Sequence, residues 1–261
     1  MLHDVFSSSR FNWVSNTSRL PAGWNTATSG IRPLLASEGI LVSQSTKAVG
    51  FWSAVLATVF SLVYVVGQLA EWLGWLGSKG GPESASTLTG LIVLLTPSLF
   101  LGSSFLVLVV SIHQLAPHDR RVWSHAAVAF GSAYAVLIST VYFVQLTLVA
   151  PRISQGRTAG IEAFLFVPFD SFLYAVDILG YSFMSLSTLF AAQVLSGRGI
   201  ERVARFWLTA NGLLVPFLAL QMYFHSLIWI ASLWAVTFPA STWCLAILFH
   251  RAAPAPTSPG H

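Results

Sequence analysis

Residues Leu88–Ile112 read LTGLIVLLTPSLFLGSSFLVLVVSI, a run without one charged side chain. As a helix rising about 1.5 Å per residue it is roughly 37 Å long, more than the hydrocarbon core of a bilayer, about 30 Å, requires. Such a run satisfies its own backbone groups only as a helix, so it reads as a membrane span. Five further runs pass the same test on either side of it: Ala48–Trp72, Ser124–Ala150, Val167–Gln193, Ala204–Phe224 and Leu227–Phe249. The last two are parted only around His225 and Ser226, which requires a tight hairpin or a shallow kink there. Taken as one helix they would extend roughly 70 Å, which no bilayer accommodates. The expected fold is an all-α polytopic transmembrane bundle of six spans occupying residues 47–250.

Composition agrees. Apolar residues make up 55% of the 261-residue chain and charged residues 8%, and the mean hydropathy is +0.71. Soluble domains carry roughly 25% charged residues, so a water-soluble fold is excluded. The formal charge is +4, but Lys and Arg are scattered over tails and loops and form no basic stripe with exposed aromatics. Nucleic acid is therefore not an expected partner; the lipid bilayer is. The single cysteine, Cys244, lies in an apolar run, reads as a small core residue and leaves no intrachain disulfide.

Residues 1–46 contain no continuous apolar stretch of signal-peptide type and pass through polar segments such as Ser7-Ser8-Ser9-Arg10. They read as a polar tail, with a short interfacial helix expected at residues 31–42. Residues 251–261 are rich in Pro, Ala and Ser and read as a disordered tail.

Orientation follows from the basic residues. Threaded with the N-terminus inside, the cytoplasmic segments collect Arg10, Arg19, Arg32, Lys47, Arg120, Arg121, Arg198, Arg202, Arg205 and Arg251, and the outer loops hold Lys79, Arg152 and Arg157. That asymmetry predicts both termini in the cytoplasm, with the plasma (inner) membrane as the expected location. Trp72, Trp75 and Trp229 then fall toward the outer interface, and Trp52, Trp123, Trp207 and Trp243 toward the inner one.

Close packing is written into the third span, where Ala127, Gly131 and Ala135 form a row of small residues suited to a helix crossing. Pro97, Pro216 and Pro239 lie within the second, fifth and sixth spans, where each removes a backbone hydrogen bond and is expected to kink its helix.

The polar residues of the spans carry the functional signal. Tyr64, Gln68, Glu71 and Trp75 share a helical face on the first span, and Asp170, Tyr174, Asp177 and Tyr181 repeat that spacing on the fourth. Tyr142 and Gln145 are neighbours on the third span, and Gln221 and His225 form an i, i+4 pair at the end of the fifth. With six spans threaded, all of these converge on the outer half, and Asp177 falls deepest, near the midplane. Asp170 also reads as a first-turn acid complementing its helix, Glu71 as a group reaching interfacial water, and His225 as a turn residue. A carboxylate at the depth of Asp177 costs about 2.5–3.5 kcal/mol on insertion scales unless it faces the bundle interior or a wet cavity.

Recognised catalytic patterns are absent: no H-E-x-x-H, no Walker loop, no G-x-S-x-G elbow and no zinc-type Cys/His spacing occurs. No cofactor is identified. His113, His118 and His125 do not align on one helical face and read as a solvated loop, not a metal site. Glu71, Asp170, Asp177 and His225 would suit an oxygen-rich metal site only if four helices met, and no metal is assigned.

Two functions fit these residues. One is a carrier or receptor for a small cationic or amphiphilic molecule, with Asp177 and Glu71 supplying charge and aromatic side chains the walls, and with proton-coupled movement as an extension. The other is a membrane-embedded enzyme, an isomerase or cyclase acting on a lipophilic substrate, with Asp177 and Glu71 as catalytic acids. A structural subunit of a membrane complex, with acids that only bond between helices, is the third.

Overall fold

A computed structural model describes residues 41–254. Among them, six helical segments are long and apolar enough to cross a membrane: α1 (Gln44–Trp72), α2 (Leu88–Leu115), α3 (His118–Ser154), α4 (Phe172–Ala192), α5 (Ile200–Leu220) and α6 (His225–Arg251). The protein is an all-helical integral membrane protein. Consecutive helices pack side by side, and α6 returns against α1, so the six close into a ring. Consecutive apolar helices that each cross the bilayer must alternate in direction, which gives this up-and-down order.

Side-chain oxygens set the helix starts. Ser43 caps α1 by accepting the Thr46 N–H at 3.1 Å, Thr87 caps α2 through the Gly90 N–H at 3.1 Å, and Ser171 caps α4 through the Tyr174 N–H at 3.1 Å. The last of these corrects the fourth span, expected from Val167. Phe169, just after Pro168, has φ 72°, a left-handed conformation that no helix tolerates in a bulky residue. The helix therefore begins only at Phe172.

Prolines act unequally. Before Pro216, α5 loses its helix at Leu213 and Leu214, because the proline ring crowds the Gly212 carbonyl and offers it no N–H. Across Pro97 and Pro239 the helices run on unbroken, so the kinks expected there are not breaks. In α3, residues Gln145–Val149 widen into a π turn closed by the Ala150 N–H on the Gln145 carbonyl. The wider turn makes room for Pro151 and lets α3 continue to Ser154, past the expected end at Ala150.

Small residues fix the helix crossings. The Ser187 hydroxyl of α4 donates to the Ala127 carbonyl at 2.7 Å, and a Cβ on Gly131 would come within 3.1 Å of the Ser187 Oγ. Gly102 of α2 lies against Ala135, so the row Ala127, Gly131 and Ala135 serves both neighbours of α3. Across α4 and α5, a Cβ on Gly212 would sit 2.5 Å from the Cβ of Leu189. Phe105, Tyr134 and Phe238, all buried, fill the ring's interior.

Both tails differ in part from expectation. Leu41–Val42, the end of the expected interfacial helix, is extended and pairs in parallel with Ala253–Pro254; the rest of that helix lies outside the described residues. Arg251 closes α6, so the stretch expected to be disordered from residue 251 is ordered through Pro254. At the same end of the bundle the His113 and His125 rings lie 4.6 Å apart, with His113 Nδ1 2.8 Å from the Ser124 Oγ.

Candidate functional site

A cavity of about 360 Å³ opens at the Trp72 end of the ring, walled by α1, α4, α5 and α6. Its depth comes from an aromatic floor. The Trp234 ring of α6 lies 5.5 Å from Tyr64 of α1 and 5.3 Å from Tyr181 of α4. Tyr134 supports Tyr181 from below at 6.1 Å. Phe105 in turn touches Tyr134 at 5.6 Å, so rings from five helices form one connected cluster. The space above them is left to smaller side chains such as Ala231, Ser232 and Ala235.

Asp177 stands on the α4 wall, one helical turn above Tyr181. It is 7% exposed, and its Oδ1 atom has no hydrogen-bond partner. A buried, unpaired carboxylate oxygen carries a desolvation cost of about 1–3 kcal/mol or more. Around it several polar groups pair with one another, while the buried Tyr134 hydroxyl has no partner. The Tyr142 and Tyr181 hydroxyls share a hydrogen bond of 2.8 Å; the Tyr64 hydroxyl donates to Gln68 Oε1 at 3.2 Å; the Tyr174 hydroxyl reaches Gln221 Oε1 at 3.5 Å.

Two aromatic contacts cross the mouth. Phe169, from the loop before α4, stacks on His225 at 4.9 Å and 22°, and Trp72 meets Trp229 edge-on at 6.0 Å. Pro82 and Glu83, from the loop after α1, complete the rim. The cavity thus has two carboxylates, Asp177 within and Glu83 at the rim, and neither Lys nor Arg lines it. Its lining combines carboxylates with aromatic rings.

Tyr64, Gln68, Tyr174, Asp177, Tyr181, Gln221 and His225 meet at this cavity. Glu71, Tyr142, Gln145 and Asp170 do not line it. Glu71 is 2% exposed and turns to α2, where a Cβ on Gly90 would come within 2.6 Å of its Oε2; neither carboxylate oxygen has a hydrogen-bond partner. The reason is angular. Val65, Leu69 and Trp72 line the cavity, which rotates its centre on α1 about 90° away from Glu71 at 100° per residue. Tyr142 lies behind Tyr181 and touches the site only through that hydroxyl. Gln145 spends its amide on the Phe164 carbonyl at 2.7 Å, pinning the loop before α4. Asp170 precedes the Ser171 cap and is exposed, off the helix on which the stripe had placed it. Among the described residues no three of His, Cys, Asp and Glu converge as metal ligands, and Glu71, Asp170 and Asp177 are dispersed.

Glu83, Phe166, Phe169 and Trp234 were not singled out from sequence. The first three lie on loops, whose approach to a cavity no helical periodicity encodes. Asn211 also escaped notice, although an amide in an apolar span is a visible signal. It is 0% exposed and ties three helices together, donating to Thr188 Oγ1 at 3.0 Å and accepting from Thr237 Oγ1 at 2.9 Å. Compared with protein-family models, curated proteins and solved structures, the chain matches none.

Proposed function

We propose that this protein is a membrane carrier or receptor that takes a small organic cation into the cavity, with Asp177 as its counter-ion. One observation carries the reading: Asp177 lines a space walled by Tyr64, Tyr174, Tyr181 and Trp234 and free of Lys and Arg. An ammonium ligand in that space pairs with the carboxylate, and the ring faces stabilise its positive charge.

The distribution of Lys and Arg supports both termini in the cytoplasm, with the cavity mouth in the outer half of the plasma membrane. Reporter fusions at residues near each end test this; a terminus on the opposite side overturns it.

A second reading is favoured by the Tyr142–Tyr181 hydroxyl pair, which extends from the cavity floor away from the ligand space. In this reading Asp177 is the acid and the Tyr142 hydroxyl its neighbour, which suits an acid-catalysed isomerase or cyclase, or proton coupling in a carrier.

Isothermal titration of the purified protein with tetraethylammonium tests the cation reading. Wild type binds and Asp177→Asn, which keeps the shape and removes the charge, loses at least about tenfold in affinity; equal affinities refute it. Incubation with a lipid and isoprenoid extract followed by mass spectrometry separates the two classes, because new product masses mark an enzyme and unaltered retained ligand marks a carrier.

A further inference from the structure

The two helices that close the ring, α1 and α6, face each other along matched heptad rows. On α1 the row is Phe51, Thr58, Val65 and Trp72; on α6, in the opposite direction, it is Phe249, Thr242, Ala235 and Ile228. One half of this seam is tightly packed. Phe51 lies 5.6 Å from the His250 ring, the Thr58 hydroxyl donates to Thr242 at 2.8 Å, and a Cβ on Gly50 would come within 2.5 Å of the Phe249 ring.

In the other half residues of the same rows line the cavity: Val65 and Trp72 on α1, Ala235 and Ile228 on α6. The two helices meet there through Tyr64 and Trp234 at 5.5 Å and through Trp72 and Trp229 at 6.0 Å. Between these two contacts the helix of α6 is interrupted at Ser232 and Leu233, and the lining residues Ala231, Ser232 and Ala235 are small. Two lining residues also belong to the outer face of the ring: Leu69 continues the exposed row of Leu62 and Val66 on α1, and Trp229 shares that of Leu233 and Val236 on α6. A side chain that lines a cavity and is also half exposed on the bundle's outer face marks a side opening. Every residue named in that opening is apolar or small.

We infer that the cavity is loaded sideways from the bilayer through the seam between α1 and α6, and that its ligand is a single-tailed organic cation whose head reaches Asp177 while its alkyl chain lies between Leu69 and Ser232. This rests on the cation-binding reading of the cavity. A headgroup alone would use the mouth between Phe169 and Glu83; a tail has no apolar place there, but the seam offers one continuous with lipid. Partition into the bilayer, worth about 0.8 kcal/mol per CH₂, concentrates such a ligand at the opening.

The test uses the full-length protein in phosphatidylcholine nanodiscs with two probes of one head chemistry, tetraethylammonium and dodecyltrimethylammonium. Leu69→Trp and Ser232→Phe, separately, fill the seam from either side. Each is expected to weaken dodecyltrimethylammonium at least about tenfold more than it weakens tetraethylammonium, and Asp177→Asn to weaken both. Retained tetraethylammonium binding shows that a variant has folded. As a measurement free of variants, an alkylammonium carrying a dansyl group at its chain tip is bound in nanodiscs of lipids brominated on the acyl chains. Fluorescence displaced by excess tetraethylammonium is quenched if the tail lies in the seam, and unquenched if it is enclosed. Dodecyltrimethylammonium binding that ignores both seam variants, with tetraethylammonium binding still dependent on Asp177, overturns the side entry alone. Failure of both probes to bind wild type overturns the cavity reading and the side entry together.

Discussion

Asn211→Ala separates the structural polar groups of the bundle from the cavity. Asn211 is fully buried, and its two hydrogen bonds, 3.0 Å to Thr188 and 2.9 Å from Thr237, join α5 to α4 and α6. Truncation orphans neither threonine, because Thr188 also donates to the Ser185 carbonyl at 2.8 Å and Thr237 has the Leu233 carbonyl at 3.2 Å. The loss is then two interhelical bonds, averaging about 0.6 kcal/mol each in membrane bundles and reaching about 1.7, together with the space left by three side-chain atoms. A total of about 2–4 kcal/mol follows once a cavity term of about 1–2 kcal/mol is added. Thr237→Val works differently. It leaves Asn211 Oδ1 buried with no donor, at a cost of about 1–3 kcal/mol, and that cost disappears when Asn211 is already gone. In the double mutant the two effects are therefore less than additive. Equilibrium unfolding in mixed micelles titrated with denaturing detergent measures all three variants. An Asn211→Ala effect below about 0.5 kcal/mol, or strict additivity of the pair, would refute the claim that this amide joins the helices.

The other predictions concern single contacts. Gly212→Ala forces a methyl onto the α4 backbone at Leu189, 2.9 Å from its Cα, and is expected to destabilise by about 1–3 kcal/mol in the same unfolding assay; an unchanged midpoint contradicts the close crossing. Glu71→Leu removes a buried carboxyl whose oxygens lack partners and stabilises by about 1–3 kcal/mol, while tetraethylammonium affinity stays within about twofold because Glu71 lies off the cavity. A loss of affinity like that of Asp177→Asn would return Glu71 to the site. Glu162, exposed in the loop before α4, accepts the Gly160 N–H at 3.0 Å, and backbone hydrogen bonds hold its carboxyl below the ordinary glutamate range. Its folded value lies below the unfolded one, so the loop's gain from this contact is present above the unfolded value and lost as pH falls through the folded one. Carbon-detected NMR titration should give Glu162 a midpoint lower in the folded protein than in the unfolded chain, and equal midpoints would remove the contact.

The six spans were legible because the membrane imposes one rule on every residue of a span. Backbone groups must pair within the helix and side chains must be apolar, so length and hydropathy alone identify Leu88–Ile112 and its five companions. Even the hairpin between α5 and α6 could be read from His225 and Ser226. Local chemistry that sequence states ambiguously moved the ends by several residues: Ser171 instead of Val167 begins α4, and a π turn carries α3 past Pro151.

The facing of the polar side chains was less legible. The stripe from Tyr64 to Trp75 described one side of α1, but that side is divided between two neighbours. Tyr64 and Gln68 look into the cavity, Glu71 meets α2, and Trp75 is exposed. Periodicity gives relative angles on one helix and says nothing about where the next helix lies. Asp170 shows the same limit at a helix end, where a stripe computed through a residue outside the helix has no meaning.

By itself, then, the sequence determined that the chain is a membrane bundle, that Asp177 and its tyrosines share one face of a helix, and that Lys and Arg are unequally divided between the two sets of loops. Ring closure of α6 on α1 decided that Tyr64, Tyr181 and Trp234 form one floor, and that Asp177 lines the space above it while Glu71 is shut away. These are relations between helices distant in sequence. They follow from side-chain volumes and helix breaks acting together in three dimensions, which no spacing along a single helix records.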